Sequence, residues 1–131
     1  MNKEELIYYV ESLGFKKTSK YSFDGKEYYL FDGREDVVVE IHQVFDYYTS
    51  YWGNHPYHYE VKVYLRTMEL YSCKISKIDF YELLASIDYA FERLGHFVSS
   101  SSFSVSQYGE YRKGVMSQIT REGKLKILGI K

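Results

Sequence analysis

Cysteine, proline and tryptophan each occur once in the 131 residues, as Cys73, Pro56 and Trp52. A lone cysteine excludes an intramolecular disulfide and every multi-cysteine metal motif, so the fold must rest on an ordinary hydrophobic core. Long apolar runs are also missing. No stretch approaches the ~18 residues of a membrane helix, and no N-terminal apolar segment resembles a secretory signal, so a cytoplasmic protein without membrane contact is expected. Neither charge sign dominates: 17 basic residues face 18 acidic ones, for a formal net charge of −1. That balance argues against a general phosphate-neutralising protein and equally against an acidic nucleic-acid mimic. Gly-x-x-x-x-Gly-Lys-Ser/Thr, Gly-x-Gly-x-x-Gly and Gly-x-Ser-x-Gly are all missing, which removes the common phosphate loops and the nucleophile elbow. The expectation is a protein that is not an enzyme and carries no cofactor.

Aromatic residues, by contrast, make up 19% of the chain, and sixteen of them are tyrosine. They concentrate between Asp46 and Tyr59, in the run DYYTSYWGNHPYHY, which holds the tryptophan, the proline, two of the four histidines and five tyrosines. A solvated connector is normally rich in Gly, Ser, Asn and Asp, so large amphipathic rings here mark either a recognition surface or a loop folded back on its own domain.

At this length one domain is expected, spanning residues 1–131 and burying roughly two thirds of its unfolded surface. Asn2 and Glu5 have the spacing of an N-cap with its reciprocal acid, and Leu6, Val10 and Leu13 then share a helical face that Gly14 terminates. Three strand-like runs follow, Thr18 to Phe23, Glu27 to Phe31 and Asp36 to Tyr47, separated by Asp24-Gly25 and Asp32-Gly33. Asp-Gly between β-prone runs is a strong hairpin signal, because a type I′ turn needs positive φ at both central residues. Val37, Val39, Ile41, Phe45 and Tyr47 alternate with Glu40, His42 and Asp46. The run after the aromatic segment does likewise, with Tyr59, Val61, Val63 and Leu65 on one side and His58, Glu60, Lys62, Tyr64 and Arg66 on the other. The pattern predicts a long hairpin tipped by the aromatic segment. A fifth strand, Leu70 to Ile75, follows a turn or bulge near residues 67–69.

Ser76 and Asp79 then form a capping-box-like pair for a helix with Phe80, Leu83, Leu84, Ile87, Phe91 and Leu94 along one stripe and Gly95 as its stop. Beyond Ser99 to Ser102, the pattern reads as a strand over Phe103 to Gln107 and a terminal hairpin, Val115 to Thr120 with Lys124 to Ile130, around Arg121-Glu122-Gly123. The predicted class is α+β: a curved, mostly antiparallel sheet of about five to eight strands, a meander plus the long hairpin, with one amphipathic helix across a face and a short N-terminal helix beside it. The order helix, three strands, helix is similar to that of a double-stranded RNA-binding domain. Extra strands intervene, however, and no basic cluster begins the second helix, so the order assigns no family.

Four constellations carry chemistry. His42, Asp46, His55 and His58 offer imidazole and carboxylate ligands, but the spacing lacks any established zinc pattern, and paired loop histidines more often pack or hydrogen-bond, so no metal is expected. Cys73 has no Cys-x-x-Cys partner and reads as a buried, inert thiol. Glu40 and Glu60 approach across the hairpin as a paired-carboxylate hydrolase would require, yet solvated edge charges account for them more simply. Finally, Tyr47, Tyr48, Tyr51, Trp52, His55, Tyr57 and His58, with Lys62 and Arg66 nearby, form the candidate binding surface.

Tyr, Trp and Arg dominate interface hot spots, so the leading expectation is a small non-catalytic protein that binds another macromolecule, foremost a protein, through the aromatic hairpin. By analogy with small motif-free intracellular chains, that role extends to a phage- or mobile-element-type inhibitor or accessory factor of a host system. The alternative is RNA or single-stranded nucleic acid, with bases stacked on the tyrosines and the backbone held by Lys62 and Arg66, or by the second basic-aromatic group Tyr108, Tyr111, Arg112 and Lys113.

Overall fold

The computed structural model describes residues 2–23, 25–45, 57–97 and 102–127. Helix α1 (Lys3–Ser12) starts at Asn2, whose Oδ1 accepts the Glu5 amide at 2.8 Å while its Nδ2 donates to the Glu5 carboxylate at 3.3 Å. Leu6, Val10 and Leu13 are fully buried, and Gly14 at φ +98° turns the chain straight into strand β1 (Phe15–Phe23). This strand begins at Phe15 and not at Thr18, because Phe15 is itself core, edge-on to Phe31 and Phe91.

Strands β2 (Lys26–Phe31), β3 (Arg34–Phe45), β4 (Tyr57–Leu65) and β5 (Met68–Lys74) complete a five-stranded antiparallel sheet in chain order, the lower end of the predicted range. The β2–β3 turn has Asp32 at φ +55° and Gly33 at φ +66°, the conformation that Asp-Gly predicts. Asp24 of the preceding turn lies outside the described residues, as do Asp46 and Tyr47, assigned above to the third strand. A two-residue turn alone would pair Leu30 with Glu35, yet Leu30 pairs with Val38, three residues further along. This bulge restores the face: without it Val38 and Glu40, not Val37 and Val39, would point at the helices. The β4–β5 turn is Arg66-Thr67, with Arg66 at φ +56°, so β5 starts two residues earlier than predicted and takes up its irregularity inside the strand.

Val37, Val39, Ile41, Val61, Val63 and Leu65 line the inner face at 3% exposure or less. Over them lies helix α2 (Phe80–Phe97), whose Leu83, Leu84, Ile87, Phe91 and Leu94 are buried as the stripe predicts. Its cap differs from the expectation. Ser76 belongs to a short 3-10 turn (Ile75–Lys77), and Asp79 takes the capping role, its Oδ1 accepting the Tyr81 amide at 2.9 Å. Gly95 does not end the helix, which continues through it.

The C-terminal third departs most from the sequence pattern. In place of a strand and a hairpin it forms one helix, α3 (Ser102–Ile127). Val105, Tyr108, Val115, Met116 and Ile119 fall along one face of it and pack into the core with α1 and α2. β-prone residues and three glycines obscure that stripe, and tertiary burial overrides their weak helix propensity.

Candidate functional site

The predicted surface falls largely in the connection between β3 and β4. Tyr47, Tyr48, Tyr51, Trp52 and His55 lie outside the described residues, which stop at Phe45 and resume at Tyr57. Those two residues are cross-strand partners with rings edge to face at 5.3 Å, and they are 42% and 50% exposed. Just below them, on the face away from the helices, His58 Nε2 lies 3.3 Å from Glu60 Oε1, and His42 pairs across the strands with Glu60. Among the described residues no three His, Cys, Asp or Glu side chains converge to hold a metal.

The predicted cations are neutralised in place. Lys62 Nζ lies 3.2 Å from Glu69, which is the main cause of its raised pKa, and Arg66 Nε lies 3.5 Å from Asp36. Two members of the second basic-aromatic group, Tyr108 and Arg112, are architectural. Tyr108 is buried and stacked on Phe91, its hydroxyl donates to Asp88 at 2.6 Å, and Arg112 Nε donates to both Asp88 oxygens at 2.9 Å. Lys113 lies 3.5 Å from Glu110, and Tyr111 sets its ring edge-on to Phe31. Cys73 is half-exposed and not buried, with its thiol donating to the Lys74 carbonyl at 3.4 Å.

A second region was not singled out by sequence. On the face turned away from the helices, register places Leu30, Val38 and Tyr64 in one row and Tyr28, Glu40 and Lys62 in the next. Glu40 is no solvated edge charge. It sits on the central strand at 3% exposure, flanked on the neighbouring strands by Tyr28, Tyr64 and Lys26. The Tyr64 hydroxyl donates to Glu40 Oε2 at 3.2 Å, and Lys26 Nζ stands 3.8 Å from Oε1. Burial, with the adjacent Glu40 carboxylate second, raises the Tyr28 phenol and pushes Tyr64 up to about 12. Beside this group opens a hollow of about 610 Å³, whose lining includes Tyr28, Leu30, Asp36, Val38, Glu40 and Tyr64. Alternation alone would put Tyr28 and Leu30 on one face and Glu40 and Val38 on one face. Bringing the two pairs together depends on the β2–β3 bulge, for which the sequence carries no signal.

No protein family, curated protein or solved structure matches the chain, so its own geometry carries the functional conclusion.

Proposed function

We infer that the chain is a non-catalytic binding protein that recognises a protein partner through the end of its β3–β4 hairpin. The observation that supports this most is the exposed Phe45–Tyr57 pair, two large rings held edge to face and left half open where the chain enters the aromatic segment. Rigid aromatic area of this kind, with few rotors to freeze, is what interface hot spots are made of. The nucleic-acid reading is weaker for a specific reason: Lys62, Arg66, Arg112 and Lys113, its proposed backbone contacts, each face a carboxylate of this chain. The finer role of an inhibitor or accessory factor of a host system rests on analogy with other small binding proteins.

Affinity capture of the tagged protein from a native host lysate, with and without nuclease, tests the proposal. The expected result is a protein partner that survives nuclease and is lost with Trp52→Ala, at a cost of about 2 kcal/mol or more, and weakened by Phe45→Ala with Tyr57→Ala. Capture unchanged by all three substitutions would reject the hairpin as the site. Recovery of nucleic acid, with any protein disappearing after nuclease, would transfer the function to RNA or single-stranded DNA.

A further inference from the structure

The hollow on the helix-free face has a composition that the hairpin reading does not use. Its walls carry the carboxylates Glu35, Asp36 and Glu40 against the cations Lys26 and Arg66, three negative charges to two positive. Its floor is apolar, Leu30 and Val38, and two phenols stand over it, Tyr28 and Tyr64. An ionised carboxylate offers about four acceptor sites. Glu40 engages the two tyrosine hydroxyls, and its cation, Lys26, stands at 3.8 Å, beyond hydrogen-bond length. A carboxylate buried to this depth gains from a further cationic donor, and the ion-pair partner it has in Lys26 stands at 3.8 Å.

We propose that this hollow receives an arginine side chain of the protein partner, its aliphatic stem on Leu30 and Val38 and its guanidinium at Glu40 between the tyrosines. Arginine fits better than lysine on three grounds. Its planar fork supplies five donors to satisfy a carboxylate and phenolic oxygens together, it associates with tyrosine rings, and it is the more weakly hydrated of the two cations. The net negative lining repels phosphate and carboxylate ligands by the same charge logic. The inference rests on the reading of the chain as a partner-binding protein, and it adds what kind of residue the partner presents.

The test is a titration of the full chain with Nα-acetyl-L-arginine N-methylamide, followed by amide NMR, with the lysine counterpart as control. Saturable shifts at Tyr28, Val38, Glu40 and Tyr64, several-fold weaker for the lysine compound, are expected. Glu40→Gln, which keeps the shape and removes the charge, should weaken binding about tenfold, the loss of one charge-assisted hydrogen bond. Lys26→Met should tighten it, since a competing cation leaves the wall, and that opposite sign separates a binding role from a structural one. Shifts that are absent, that do not saturate or that centre elsewhere would overturn the proposal, as would an affinity unchanged in both variants. Should Glu40→Gln unfold the sheet, Tyr64→Phe removes one hydroxyl and keeps the ring, and an affinity unchanged by it would likewise overturn the proposed geometry. Lysate capture on Trp52→Ala reports on the hairpin independently. Failure of the probe with capture intact removes the arginine pocket alone, whereas capture of nucleic acid with the probe still bound removes the protein-partner reading and, with it, the source of the arginine.

Discussion

Replacing Asp88 with alanine would strand two groups at once, the buried Tyr108 hydroxyl and the Arg112 guanidinium that grips both carboxylate oxygens. A buried hydroxyl without its acceptor costs about 1–3 kcal/mol, so Asp88→Ala should lower the urea midpoint by that much stability, and pairing it with Tyr108→Phe should recover part of the loss. Arg112→Ala should cost less, under about 1 kcal/mol, because its side chain is 40% exposed and water screens the pair. The tyrosines also set an alkaline limit. Tyr29 and Tyr64 are both pushed up to about 12 from 10.0, burial being the first cause and Glu27 and Glu40 the second. A raised folded-state pKa means that the fold favours the protonated phenol. That stability is present in full below pH 10 and is lost as pH rises through about 12. Tyrosinate absorbance should therefore include a class of phenols that ionises late, and Tyr64→Phe should remove one member of it. A single uniform titration near pH 10 would contradict it.

Elements that advertise their ends were legible in the sequence, and those that depend on distant contacts were not. Asn2 with Glu5, Asp32-Gly33 and the Leu83-to-Leu94 stripe each encode a local interaction that the fold retains. Helix α3 escaped because β-prone Phe103, Val105, Tyr108, Tyr111, Val115, Ile119 and Thr120 and three glycines obscure it, while the spacing Val105, Tyr108, Arg112, Val115 and Ile119 is helical throughout. That assignment has a direct test. A Cβ at Gly109 or Gly114 meets no neighbour within 4 Å, so alanine at each should stabilise by about 0.5–1 kcal/mol and increase helical circular dichroism, an effect that a hairpin would not show. Gly14→Ala should do the reverse. At φ +98° the new Cβ would come within 2.7 Å of the Phe31 ring and 2.8 Å of Tyr111, and the loss should exceed about 1 kcal/mol in a thermal melt. The candidate site divides along the same line: the aromatic density of the hairpin is plain in the sequence, whereas the hollow beside Glu40 exists only because a bulge moves Val38 opposite Leu30.

At the scale of the whole molecule, the pairing of surface charge matters more than its sum. The described Lys62, Arg66, Arg112 and Lys113 sit against carboxylates of their own chain, so partner binding should depend only weakly on salt. Affinity measured across a range of ionic strength checks this, and the steep linear decline typical of counterion release would instead favour nucleic acid. The order of the strands, β1 to β5 in the order of the chain, has a kinetic consequence of its own. Every sheet pairing closes between consecutive segments, so the loops that must form are short and their entropy cost is small. The long closure is instead the docking of α3 on α1, where Gln118 donates to the Tyr8 hydroxyl across 110 residues of sequence. Hairpin zipping on the microsecond scale should thus precede a slower step that joins the two ends, and substitutions at Val115, whose contacts form in that step, should retard refolding as well as hasten unfolding.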